Sequence, residues 1–256
     1  MIIMLDKSYE YVKLLNLFPC FENKTSDFVR YNMNHPDILK LKREYNIDSL
    51  FSNESFFENI FAVIKWIKEI VPYETSRYCL NDENFSGLQL LDQSIATHTR
   101  LNCSGYAKIL NDVLLSQGIL SKCVWGLSSD LRDTECHVFN QVYNPQTRNW
   151  MVVDPAFGFC AIDKNDTYID VAQLRECVEN QESIYCKQTE NKDYDSILTS
   201  KYMSYIPKNL FMFGTFKESG AVYNPSKNQY CYIVPCGYEV EGYSSFVFTN
   251  NIGVLY

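Results

Sequence analysis

The sequence predicts an α+β fold in which helical segments lead into a run of strands, and three observations carry that prediction. Phe56, Phe57, Ile60, Phe61, Ile64 and Ile67 recur at helical spacing. After Asn102 a second helical pattern puts Tyr106, Ile109, Leu110, Val113 and Leu114 on one face. Residues 135–143 and 149–154 then alternate with period two around Asn144-Pro145-Gln146-Thr147-Arg148, which reads as a hairpin.

The first fifty residues mix short apolar clusters with polar breaks, and Pro19 and Pro36 limit any helix there. Ser52 or Asn53 is placed to cap the first strong helix, Trp66 lies near its end, and Pro72 stops it. Residues 80–100 are polar apart from one apolar patch at 88–91, and Gly118 ends the second helix. Residues 122–127 read as a strand. Beyond the hairpin come a helix near 171–177, a charged stretch around 190–195, and β-like runs at 230–234 and 246–248. There is no internal repeat or low-complexity segment. The expectation is one domain over residues 1–256, with elaborations at both ends of a central core.

With 46% hydrophobic and 15% aromatic residues, 256 residues bury a sizeable core. A net charge of −8 and a pI near 5.0 argue against nucleic acid as a partner, because phosphate binding requires a basic face. The apolar Met1-Ile2-Ile3-Met4-Leu5 ends at Asp6 and Lys7, unlike a secretory signal. No apolar run reaches the roughly 18–20 residues of a membrane span. A cytoplasmic protein with mostly reduced thiols is therefore expected. The ten cysteines, Cys79 among them, contain no CxxC pair, and Cys231 and Cys236 have no zinc-site partners. Neither a metal nor a cofactor is expected.

A thiol attacks an acyl carbon only when ionised, and a helix N-terminus and a nearby imidazolium both favour the thiolate. Asn102 is a favoured N-cap, which puts Cys103 at the first helical position, followed by the small Ser104 and Gly105. Of three histidines, His35, His98 and His137, the last lies on the first hairpin strand. It shares a face with Phe139, Gln141 and Tyr143, while Trp150, Val152 and Asp154 share a face of the return strand. If Tyr143 pairs with Arg148 across a four-residue loop, His137 falls opposite Asp154. Each residue has an ordinary structural explanation alone; nucleophile, base and orienting carboxylate in sequence form a constellation with distinct roles.

These marks run from Cys103 with Tyr106-Ala107, through Gly118-Ile119 and His137-Val138-Phe139-Asn140, to Trp150 and Asp154-Pro155. In that order they resemble the core of the transglutaminase-like superfamily, over roughly residues 55–160 and in its small bacterial form. The resemblance implies a papain-like α+β arrangement, with a nucleophile helix packed on an antiparallel sheet. It also implies a Cys103–His137–Asp154 triad acting by acyl transfer or hydrolysis on a peptide, protein or amide small-molecule substrate. An oxyanion hole is expected from the Cys103 N–H and a second donor, for which Gln93 and Asn102 are candidates, Asn102 being equally explained as a cap; His98 and Arg100 are candidates to line the cleft, with a surface loop the stronger alternative. The acceptor, amine or water, is left open, as is oligomeric state. Two rivals stand beside this reading: a non-catalytic peptide-binding module on the same scaffold, and an arylamine N-acetyltransferase-like enzyme. The latter family's Arg-Gly-Gly before the cysteine is absent, since Arg100-Leu101-Asn102 stands there.

Overall fold

The computed structural model describes residues 2–52, 55–75, 84–188, 195–240 and 246–256, with side chains from residue 8 on. Asn53, Cys79 and most of the charged 190–195 stretch lie outside the described residues. Helices come first: α1 (Ile2–Leu17), α2 (Pro36–Glu44), α3 (Phe56–Ile70), α4 (Gly87–Thr97) and α5 (Cys103–Ser116), with a short strand β1 (Arg30–Tyr31) after α1. Strands β2 (Ser121–Leu127), β3 (His137–Asn144), β4 (Asn149–Asp154) and β5 (Phe159–Asp163) follow. Then come α6 (Val171–Glu179), β6 (Ile184–Lys187), α7 (Ser196–Tyr205) and a 3-10 turn (Ile206–Leu210). The chain closes with β7 (Met212–Phe216), β8 (Glu218–Ser219), β9 (Tyr230–Ile233) and β10 (Val247–Thr249).

The α+β prediction holds. Eight strands form one sheet in the order β10-β9-β7-β2-β3-β4-β5-β6, antiparallel except for the β9–β10 pair, and β1 pairs separately with β8. Helix α5 lies on one face, tied to β3 where Asn140 Nδ2 donates to the Ala107 carbonyl at 3.0 Å. Helices α3 and α4 complete that side, around Ile60, Ile64, Leu91, Leu110 and Val153. The other face is covered by α6, α7 and the 3-10 turn, around Phe139, Val152, Phe159, Leu174 and Tyr202.

Four local expectations need correction. Ser55, not Ser52, caps α3, accepting from the Glu58 N–H at 3.3 Å; Ser52 instead closes a preceding 3-10 turn (Ile47–Phe51). The polar stretch before Cys103 contains helix α4, whose start is a capping box between Ser86 and Gln89. Helix α5 is buried on every side from Gly105 to Leu115, not on one stripe alone. Its polar flank is satisfied internally: Asp112 accepts from the N–H groups of Gly87 and Ala221, at 2.7 and 3.0 Å, and from the Tyr223 hydroxyl at 2.7 Å. Burial still pushes the Asp112 carboxyl above its usual range.

The fourth correction is the hairpin register. Tyr143 pairs with Trp150 and Asn144 with Asn149, so the loop is Pro145–Arg148, with Arg148 left-handed at φ 58°. That register is two residues away from the predicted one. A two-residue shift preserves sidedness, so Asp154 keeps the face of His137 and reaches it along the diagonal.

Candidate active site

Three elements converge at one end of the sheet. Cys103 is the first residue of α5, and the Asn102 side chain caps that helix by accepting from the Gly105 N–H at 3.1 Å. The thiol is therefore set at the positive end of a fourteen-residue helix. His137 opens β3 and Asp154 ends β4, and both are sealed from solvent, at 1% and 0% exposure. The His137 Nε2–H donates to Asp154 Oδ2 at 2.6 Å, and the Cys103 side chain stands close enough to the ring to help raise its pKa. With Nε2 taken by the carboxylate, Nδ1 is the nitrogen left for the thiol.

The Asp154-Pro155-Ala156-Phe157-Gly158 turn fixes the carboxylate. Asp154 Oδ1 accepts from the Phe157 N–H at 3.0 Å, and the Gly158 N–H closes back on the Asp154 carbonyl at 2.7 Å. Gly158 sits at φ +85° against the Lys68 ammonium, where a Cβ would fall 2.4 Å from Nζ. Burial lowers the Lys68 pKa, and the Asp154 charge opposes that shift. Aromatic rings complete the enclosure: Phe157 and Tyr205 stand edge-on to His137 at 5.5 and 5.3 Å between centroids, with Tyr202 behind at 6.4 Å.

Electrostatics decide the state of the ring. Burial disfavours the imidazolium, but the charge and hydrogen bond of Asp154, with a further contribution from Cys103, outweigh it. The His137 pKa rises from 6.5 to about 10, so the ring carries its proton at neutral pH.

A cleft of about 980 Å³ opens onto this assembly. Cys103, Asn102 and Ser104 form one part of its wall; Glu135, Tyr205 and Asn209 stand in another. Of the sequence-predicted neighbours, Asn102 lines the cleft, although its oxygen already serves as the cap. Gln93 and His98 are not among the lining residues. Helix α4 ends at Thr97, His98 turns away to solvent in a left-handed cap at φ 55°, and Arg100 pairs with Glu74 at 3.1 Å. Leu101 then bridges to Tyr73 before the chain reaches the thiol, which separates α4 from the cleft.

Sequence reasoning missed Phe157, Tyr205 and Asn209. Phe157 carried a readable signal, since it lies inside a turn between an Asp-Pro and a glycine. Tyr205 and Asn209 carried none, because α7 and its 3-10 continuation lack helical apolar periodicity.

Residues 46–155 match the family model of the transglutaminase-like superfamily core. That segment contains α3, α4, α5 and the β2–β4 strands, and so holds Cys103, His137 and Asp154 together. No curated protein matches the chain. Among solved structures, a candidate cysteine protease from Cytophaga hutchinsonii matches at 16% identity with a TM-score of 0.35, covering 46% of this chain and 37% of that one. No helix among the described residues is long and apolar enough to cross a membrane.

Proposed function

With residues 46–155 carrying the transglutaminase-like core, we propose that the protein is a papain-like cysteine enzyme. It transfers or hydrolyses the acyl group of an amide- or peptide-type substrate through a thioester on Cys103. What supports this reading is the buried His137–Asp154 hydrogen bond together with the Cys103 side chain, which stands close enough to the ring to influence its charge and itself lines an open cleft.

The roles follow from the charges. The Cys103 thiolate adds to the substrate carbonyl carbon, and the negative charge moves to the carbonyl oxygen. The Cys103 backbone N–H, one of the first-turn donors without a partner inside its helix, receives that oxygen. The His137 imidazolium gives its proton to the amide nitrogen as the C–N bond breaks, releasing the amine and leaving the thioester. The neutral ring then takes a proton from the incoming amine or water, which attacks the thioester and returns the thiolate. Asp154 holds the ring in one orientation throughout and stabilises its charged form. The rings of Phe157, Tyr202 and Tyr205 pack around His137, which is itself only 1% exposed, and shield that exchange from bulk water.

Incubation with a panel of acyl donors, followed by mass spectrometry of the Cys103 peptide, tests the reading. A covalent acyl adduct at Cys103, discharged by an added amine or by water and absent from Cys103→Ala, is the expected result. An active protein whose turnover survives Cys103→Ala refutes it.

A further inference from the structure

Cys103 shares its cleft with a second thiol. Cys136, the residue before His137, also lines the cleft, and both cysteines are half-buried rather than sealed.

The packing of α5 on β3 brings the two together. Helix and strand run in the same direction: Cys103 stands close to His137 at one end, and one helical turn on, the Ala107 carbonyl accepts from Asn140 Nδ2 at 3.0 Å. Cys136, Val138 and Asn140 alternate with His137 and so share the face that meets α5. Val138 packs with Ala107 there, and Cys103 and Cys136 both border the same small cluster, completed by Phe216 and Tyr223. One helical turn back from Ala107 is Cys103, and two strand residues back from Val138 is Cys136; each step is about 6–7 Å, so the thiols arrive at one level. Electrostatics agree with this placement. Burial raises the Tyr205 hydroxyl pKa, and charge on Cys103, Asp154 and Cys136 adds to the rise, so both thiols lie within charge range of one group. Cys136 also has room to adjust, because the β3 ladder begins at His137 and residues 133–136 before it are irregular.

Resting on the cysteine-enzyme reading above, we propose that Cys103 is a site of modification by peroxide, and that Cys136 resolves the oxidised sulfur into a Cys103–Cys136 disulfide. The Cys103 thiolate attacks one oxygen of hydrogen peroxide, the O–O bond breaks, and the departing hydroxide takes the His137 proton to leave as water. Sulfur has then lost two electrons to the peroxide and stands as a sulfenic acid. The Cys136 sulfur attacks it, the S–O bond breaks, and the hydroxide released takes the Cys136 proton as a second water. Two equivalents of a small thiol reverse the change by exchange, restoring both cysteines and forming their own disulfide. A thiolate at a helix start is the cysteine most open to this oxidation, and without a neighbouring thiol its sulfenic acid goes on to the irreversible sulfinic acid. Cys136 thus stores the oxidised enzyme in a form that can be recovered.

The test is exposure of the reduced protein to hydrogen peroxide, followed by tryptic digestion without reductant and mass spectrometry. Trypsin separates the thiols concerned, placing Cys103 in residues 101–108, Cys123 in 123–132 and Cys136 in 133–148. The expected product is the 101–108 peptide joined to 133–148, with iodoacetamide labelling of Cys103 lost and then restored by dithiothreitol. In Cys136→Ser, dimedone capture of the Cys103 sulfenic acid should rise several-fold, and dithiothreitol should no longer restore labelling, because Cys103 has passed to the sulfinic acid. Wild-type Cys103 that goes to sulfinic acid as readily as in Cys136→Ser overturns the inference while the cysteine-enzyme reading stands. So does a disulfide from Cys103 to Cys123 or to a second chain. The linked peptide is read on the wild-type protein, so a variant that folds poorly does not remove the test. If wild-type Cys103 neither oxidises nor alkylates faster than glutathione, the cysteine-enzyme reading has failed and the inference falls with it.

Discussion

Replacing Asp154 by Asn tests the pair on which the site depends. In the folded protein His137 is raised from 6.5 to about 10, with burial opposing the rise and Asp154 supplying most of it. At about 1.36 kcal/mol per pKa unit, the imidazolium is favoured by on the order of 5 kcal/mol. Asparagine keeps the shape but removes the charge, so burial becomes the dominant influence and the His137 pKa should drop below 6.5. The sign of the linked stability follows. A folded pKa above the unfolded one stabilises fully below pH 6.5, and that contribution fades as pH rises through about 10. The gap in urea midpoint between wild type and Asp154→Asn should therefore narrow from pH 6.5 toward pH 10, and grow further below pH 6.5, where the variant's ring, its folded pKa now under the unfolded one, resists protonation. Breaking a buried pair by removing one partner costs about 3–5 kcal/mol, which sets the scale of the gap at its widest. The assay is an imidazole NMR titration, readable because the chain holds only three histidines, with His35→Gln and His98→Gln to assign the signals. A wild-type His137 that titrates near 6.5, or a value that stays near 10 in Asp154→Asn, would refute the argument.

Cys103→Ala should abolish covalent labelling by acyl donors and leave folding intact, and His137→Ala should slow labelling at least 100-fold, the usual order for loss of a general acid–base group, as mass spectrometry of the Cys103 peptide will read. Competitive alkylation near pH 6 should mark Cys103 before the other cysteines. Burial holds the thiols of Cys186 and Cys231 up at about 12 and about 11, and also raises Cys160, so equal labelling across the chain would count against the site. Gly126→Ala should destabilise by about 1–3 kcal/mol, because the added methyl meets the fixed Asn209 backbone, and a urea midpoint within error of wild type would show that the turn is not seated there.

The central part of the molecule was legible because its chemistry is local. Asn102 as cap, Cys103 as first helical residue, and the alternation around His137 and Asp154 each follow from a few neighbouring residues. The predicted register was off by two residues, because the turn residues Pro145–Arg148 fit more than one loop closure. The sidedness survived, since only an odd slip moves Asp154 to the opposite face. Helix α4 was readable in principle from Ser86 and Gln89, but its short apolar patch masked it. Helix α5 looked amphipathic because Lys108, Asn111 and Asp112 read as a solvent face; only the fold reveals that residues 219–223 return to cover Asn111 and Asp112. Long-range closure of that kind leaves no periodic trace in the sequence.

The same logic explains why the two halves of the cleft differ so much in legibility. The reacting groups must sit at a helix start and at strand ends, positions that impose local rules on their neighbours. The opposing wall, built from α7 and the 3-10 turn, needs only to be rigid and to present a shape, and many sequences meet that requirement. Here rigidity comes from contacts distant in the chain: Arg175 on the carbonyls of Leu210 and Phe211, Lys208 on Asp133 and Glu135, and a glycine at 126 beneath Asn209. Apart from Tyr205, which stands edge-on to the imidazole, a wall assembled in this way can change its exposed side chains without disturbing the ring, so substrate choice can diverge while the chemistry stays fixed.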